Sequence, residues 1–328
     1  MTWLTWRQHR AEVFTLSLLV AAIGLFLLVA GSSMRSLFPD GAAACAGGLA
    51  DGSDACSTAI RRLNEEHGYA SKMLSLFNLV PFLIGAFLGA PLVARELEAG
   101  TWQFAWTQAV PRMRWLAVKL GALGALTATL AVALTASITW YRQPLDVLNS
   151  RFTTDAFDLE GLVPAGYALF AFAAATAAGA LLRRSLPALA VALGAYLAVR
   201  VVVAGWLRPN VQAPLSTMER VAADDATLDA GGSRIPAGDR ADWIIASGYA
   251  DPSGRHLSVY DAVEMEVAAR GAGVDFSAYL HERGIQQWVL YHPADRFWMF
   301  QLVEAAIFVG LAAALLALVV WRIKRRVF

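Results

Sequence analysis

Residues 161–182 read GLVPAGYALFAFAAATAAGALL, and beyond Arg183 and Arg184 residues 185–207 read SLPALAVALGAYLAVRVVVAGWL. A helix needs about 20 mostly apolar residues to cross about 30 Å of hydrocarbon, and each run has that length. Two intervening arginines leave room for nothing but a helical hairpin. In lipid a helix satisfies every backbone group internally, which an open strand cannot do. This pair therefore sets the fold class as an all-α integral membrane protein. Working outward, the same reading finds spans at about 12–33, 73–94, 115–140 and 297–321, six in all. The composition agrees. Of 328 residues 57% are hydrophobic and 16% charged, against about 25% charged in a soluble domain, so the apolar excess must face something other than water.

Orientation follows from where Lys and Arg fall in the short connections. With the N-terminus in the cytoplasm, the inside holds Arg7, Arg10, Arg95, Arg112, Arg114, Lys119, Arg183, Arg184, Arg322, Lys324, Arg325 and Arg326. Only Glu12, Glu96 and Glu98 oppose them there, so both termini are expected to be cytoplasmic. The first apolar run has a basic start, but it exceeds a signal-peptide core and lacks a small-residue cleavage site before Arg35, so it is expected to be retained. Trp3, Trp6, Arg7 and Arg10 share one helical face, which predicts a short helix lying in the inner interface before the first span. The alternative is a frayed tail with ordinary belt tryptophans. The expected organisation is thus 1–207 for the interfacial helix and five spans, 208–296 for an extracytoplasmic segment, and 297–328 for the sixth span and a basic tail. Within 208–296, Gly231, Gly232, Pro236 and Gly238 mark turns. Val259 to Tyr279 reads as partly helical, broken near Gly271 and Gly273.

Several chemistries are not encoded. No G-x-x-x-x-G-K-[ST] loop cradles phosphates, so any nucleotide hydrolysis belongs to another chain. His9, His67, His256, His281 and His292 are scattered without metal-ligand spacing, and no metal site is expected. No G-x-S-x-G elbow is present, and no nucleophile and base stand together within the spans.

The connection between the second and third spans is the most informative. Residues 92–119 read LVARELEAGTWQFAWTQAVPRMRWLAVK. Glu96 and Glu98 close the second helix at the headgroups, and Gly100 stops it. Thr101 can then cap a short amphipathic helix over 102–108, and Pro111 ends it. Trp102, Phe104 and Trp106 would give this helix an aromatic face on the cytoplasmic surface, although interfacial aromatics alone would look the same.

Glu96, Glu98, Gly100, Thr101, Pro111 and Lys119, with a short apolar segment between, resemble the ABC-2-type transporter permeases. In that family such acids followed by Gly-Thr precede the coupling helix that docks on the ATPase subunit. Tyr291, Pro293, Arg296, Phe297, Trp298 and Gln301, together with the opening from Thr2 to His9, are similar to an actinobacterial subgroup. The long segment before the last span departs from many family members. The resemblance implies an exporter permease in a bacterial plasma membrane, working by alternating access. Its partners would be a cytosolic ABC ATPase, a second permease copy and the surrounding lipids, with no nucleic acid. No cofactor is expected in this chain, since ATP and Mg would be bound by the ATPase. The site residues it implies are Glu96, Glu98, Gly100, Thr101, Trp102, Phe104, Trp106 and Pro111. Drugs, antibiotics, peptides and lipids all suit such a permease, and the few polar groups in the spans (Asn78, Thr127, Thr129, Thr135) name no cargo. The rival readings are a self-sufficient ion-coupled transporter or channel, and an intramembrane enzyme. Both need polar or reactive clusters in the spans that the sequence does not display.

Three further expectations come from the residues alone. Cys45 and Cys56 lie in one outer loop, where either a disulfide or two free thiols can stand. Arg200 and Glu304 lie at matching depths below the outer interface, and a charge there tends to face the bundle and pair; the alternative is that Arg200 snorkels and Glu304 is protonated or wet. Gly85 with Gly89, and Gly121 with Gly124, would let helices approach closely, either within the bundle or, as the alternative, between two copies.

Overall fold

The structure is a computed structural model, and it describes residues 2–45, 54–98, 112–147, 150–223 and 242–325. The chain divides into two units. One comprises 1–147, 154–208 and 298–328; the other comprises 148–153 and 209–297.

The first unit carries the spans. α1 (Thr2–Arg35) is followed by α2 (Asp54–His67), α3 (Val80–Glu98), α4 (Arg112–Arg142), α5 (Val163–Leu182) and α6 (Ser185–Val202), and α9 (Phe297–Arg325) closes the chain. Six of these segments are long and apolar enough to cross a bilayer, namely 6–35, 72–96, 113–142, 163–182, 185–210 and 294–325. The protein is therefore a six-span helical membrane protein, as the apolar runs predict. α2 lies in what the sequence suggested was only a loop. The separate interfacial helix at the N-terminus is not formed: residues 2–35 make one unbroken helix. No Gly, Pro or capping residue separates residues 3–10 from the apolar run, so nothing stops the helix from propagating. At 1.5 Å per residue α1 is about 51 Å long and overshoots the hydrocarbon at its polar end.

α5 is the central helix, buried along almost its whole length from Val163 to Ala180. Its alanine-rich sequence suits that position, because small side chains let neighbouring backbones approach closely. α3 is its main neighbour. A Cβ on Gly85 would collide with the backbone of Ala168, and one on Gly89 with that of Phe172. The Gly85/Gly89 motif is thus used inside the bundle. Gly121 has open space around it, and Gly124 meets only the Phe172 ring at 3.7 Å. The expected close approach at α4 is therefore absent. On the opposite flank of α5, Phe308 of α9 packs edge-on against Tyr167 at 4.6 Å.

The hairpin between α5 and α6 turns on Arg183, the one described non-glycine residue with a positive φ, 55°. Its N–H returns to the Gly179 carbonyl, and Arg184 reverses the chain in an extended conformation. Cys45 and Cys56 are joined as a disulfide with Cα atoms 5.5 Å apart.

The second unit adds a small sheet to this helical fold. β1 (Leu215–Arg220), β2 (Trp243–Ala250) and β3 (Gln286–His292) form an antiparallel sheet in the order β1-β3-β2. Leu215 faces Tyr291, Trp243 faces His292, and a bulge interrupts the second ladder between Ile244 and Ala246. α7 (Val259–Ala272) and α8 (Phe276–Glu282) lie between β2 and β3 in sequence. Ser258 and Asp261 cap α7 reciprocally, Gly273 ends it at φ 68°, and Asp275 caps α8. Val221, Tyr249, Ala262, Ala269, Phe276, Leu280 and Ile285 form the core. The turn residues from Gly231 to Gly238 lie outside the described residues.

Candidate coupling site and intramembrane charge network

At the end of the bundle that carries the N-terminus, α3 finishes in Arg95–Glu96–Leu97–Glu98. The charged side chains there reach three other helices. Lys119 of α4 is almost fully buried and donates to Glu96 Oε1 at 2.6 Å, while its ammonium lies 4.6 Å from the Trp115 ring centroid. Gln8 Nε2 reaches the same Glu96 oxygen at 3.4 Å. Arg95 pairs with Glu12 of α1 at 3.1 Å and donates to the Gln8 carbonyl at 3.3 Å. Glu98 accepts from the Ser185 backbone N–H at 2.9 Å and from its hydroxyl at 3.0 Å. That interaction puts a carboxylate on the first turn of α6, where the unpaired N–H groups and the helix dipole favour negative charge.

The two acids of the Glu-x-Glu pair therefore do different work: Glu96 ties α3 to α4 and α1, and Glu98 ties it to α6. α4 starts at Arg112, so these contacts flank the connection 99–111. Gly100, Thr101, Trp102, Phe104, Trp106 and Pro111 fall in that connection and lie outside the described residues.

Toward the other end of the bundle lies a network of charges. Arg200 and Glu304 both belong to it, but they do not pair with each other. Arg200 Nη2 binds Asp158 Oδ2 at 2.6 Å and Asn78 Oδ1 at 2.9 Å, and Nη1 donates to the Asn78 carbonyl at 3.0 Å. Glu304 is held by Arg208 instead, at 2.7 Å to Nε and 2.9 Å to Nη2. Arg208 Nη2 also reaches Asp158 Oδ1 at 2.5 Å, so Asp158 and Arg208 bridge the expected pair. The Tyr167 hydroxyl donates to Glu304 Oε1 at 2.5 Å. Two guanidinium groups and two carboxylates balance, and Arg208, Asp158 and Glu304 are all buried.

The expected direct pair failed because depth matching treats α6 as a regular helix. In an α-helix Arg208 would stand about 80° round from Arg200, since eight residues at 100° each exceed two turns by that much. Residues Val203–Leu207 form a π turn, which takes up about one extra residue and returns Arg208 to the face of Arg200. Asp158 was equally hidden, since it reads as one more acid in a short polar loop. Arg142 at the end of α4 is a similar case. It is completely buried, 3.0 Å from Glu160, 3.1 Å from Asp146 and 3.6 Å from Asp155.

Gln301, one of the residues in the motif around the last span, has a local task. Its Oε1 accepts from the Leu162 and Val163 N–H groups at 3.0 Å each, and its Nε2 donates to the Phe157 carbonyl at 2.9 Å. The amide thus satisfies orphan donors at the start of α5. Gly161, at φ 67°, leaves the space that it fills, since a Cβ there would lie 2.7 Å from Gln301 Oε1. Among the described residues no cluster of His, Cys, Asp and Glu could hold a metal ion.

A family model described as ABC-2 membrane transporter related matches residues 17–208. No curated protein and no solved structure matches the chain. The matched region takes in five of the six spans, the Glu-x-Glu pair, Lys119 and both arginines of the charge network. The chain belongs to the ABC-2 membrane transporter related family, whose members are membrane components of ABC transporters.

Proposed function

We propose that this chain is the permease subunit of an ATP-driven exporter, moved by a separate cytosolic ATPase that binds ATP and Mg. The N-terminus, the 99–111 connection, the 183–184 hairpin and the C-terminal tail would face the cytoplasm, where the cations concentrate. The observation that carries the reading is the anchoring of the connection at Glu96 and Glu98. A push on 99–111 would be passed at once to α1, α4 and α6, which is the leverage alternating access between two such subunits requires. The ion-coupled alternative needs an acid free to take up its ion within the spans. Asp158 and Glu304 instead each contact an arginine. Cargo would be apolar or amphipathic, a drug, antibiotic, peptide or lipid, in keeping with the few polar groups that the spans offer.

The test is to co-express the chain with its ATPase and measure complex formation and cargo-stimulated ATP hydrolysis. Phe104→Asp and Trp106→Asp should each reduce ATPase binding at least tenfold while membrane insertion stays normal. Undiminished binding and hydrolysis in both variants would refute coupling through this segment.

A further inference from the structure

At the N-terminal end of the bundle an open pocket of about 250 Å³ is lined by Arg7, Gln8, His9, Pro91, Arg95, Glu96 and Lys119. That is below the 300–1,000 Å³ of pockets for drug-sized ligands and suits a single headgroup. Its lining carries three cations, Arg7, Arg95 and Lys119, and one carboxylate, Glu96, which pairs with Lys119, while Glu12 pairs with Arg95 from outside the lining. His9 is 2% exposed, and among the described residues neither of its ring nitrogens has a hydrogen-bond partner. A buried imidazole with nothing to bind loses its hydrogen bonds to water without replacement, so the site asks for an occupant. Arg and Lys side chains together with an imidazole N–H are donors that suit phosphate oxygens.

Two observations place this pocket at the membrane surface. Trp6, about half exposed and packed edge-on to Phe14 at 5.5 Å, marks an aromatic belt at this level. Along α1, Phe14 and Leu18 are 62% and 72% exposed. With Arg7 they fall on one stripe within about 40°, so an apolar track leads from the rim of the pocket along the span. A phosphate seated among the cations could therefore extend acyl chains down that track.

We propose that this pocket binds a phosphate group, that of an anionic phospholipid of the leaflet in contact with it. The site shares Arg95, Glu96 and Lys119 with the coupling anchor but goes beyond that reading, and its test is separate because binding needs no ATPase.

The experiment uses the full-length protein, purified and delipidated in mild detergent. It is titrated with phosphatidylglycerol, phosphatidylcholine or inorganic phosphate, with bound lipid read by native mass spectrometry and protection by melting temperature. Phosphatidylglycerol should bind at least fivefold more tightly than phosphatidylcholine, whose choline cation the lining repels. Arg7→Gln at the exposed rim and His9→Leu inside should each weaken it at least fivefold. Protection by inorganic phosphate that both variants abolish would assign the same site to the free anion, whereas lipid binding without such protection assigns it to the headgroup. No response to either ligand overturns the proposal, as does an identical response in wild type and Arg7→Gln, a change at an exposed position.

Discussion

Arg208 is the keystone of the charge network, and its removal should cost more than that of any other member. It makes two bonds to Glu304 and one to Asp158, and all three residues are buried. Arg208→Leu leaves two carboxylates beside one remaining cation, Arg200, which pairs with Asp158 and not with Glu304. Stranding a buried charge in this way costs about 3–5 kcal/mol, roughly two to four decades in the unfolding equilibrium. Glu304→Leu should cost about 3 kcal/mol, at the low end of that range, because Arg208 keeps Asp158. Arg200→Leu should cost less, about 1–3 kcal/mol, since Arg200 is partly exposed and Asp158 retains Arg208. The assay is equilibrium unfolding in mixed micelles of increasing SDS, followed by far-UV circular dichroism. In a double-mutant cycle, Arg208→Leu with Glu304→Leu should show a coupling of about 1–3 kcal/mol, whereas Arg200→Leu with Glu304→Leu should be near additive. The reasoning is refuted if the first pair is additive, or if Arg200→Leu costs as much as Arg208→Leu.

Gly85→Ala and Gly89→Ala should each destabilise by about 1–3 kcal/mol in the same assay through overpacking against α5, while Gly121→Ala, in open space, should be neutral or slightly stabilising; equal effects at all three positions would contradict the packing described. Asp251 accepts hydrogen bonds from the Ser253 hydroxyl and from the N–H groups of Ser253 and Arg255, which lower its pKa from 3.8 to about 2. A depressed carboxylate pKa means that the unfolded state binds more protons between these values, so its contribution is present above pH 3.8 and lost as pH falls toward 2. Asp251→Asn should flatten the loss of near-UV signal across that interval, and an unchanged titration would rule the contribution out. The Cys45–Cys56 bridge closes an 11-residue separation and should stabilise by up to about 3 kcal/mol on the chain-entropy model. Both thiols should resist alkylation until reductant is added.

Six spans long and apolar enough to cross a membrane were legible in the sequence alone. The spans are contiguous, and length and hydropathy are local properties that lipid enforces residue by residue. The sequence also singled out Glu96, Glu98 and Lys119 as residues of interest. It could not say that Glu96 and Glu98 hold different helices, because that depends on where α1, α4 and α6 converge. Arg200 and Glu304 were recognisable as costly charges, yet their partners were decided in three dimensions. A π turn five residues long redirected Arg208, and Asp158 was drawn in from a stretch that reads as loop. The sheet of the second unit was missed for a related reason. Strands of six to eight residues carry only a short alternation, and the pairing that stabilises β3 comes from β1 and β2, tens of residues away. Local pattern thus fixes which segments enter the bilayer. Which buried charges neutralise one another depends on contacts between segments far apart in the chain, and only the tertiary fold supplies those.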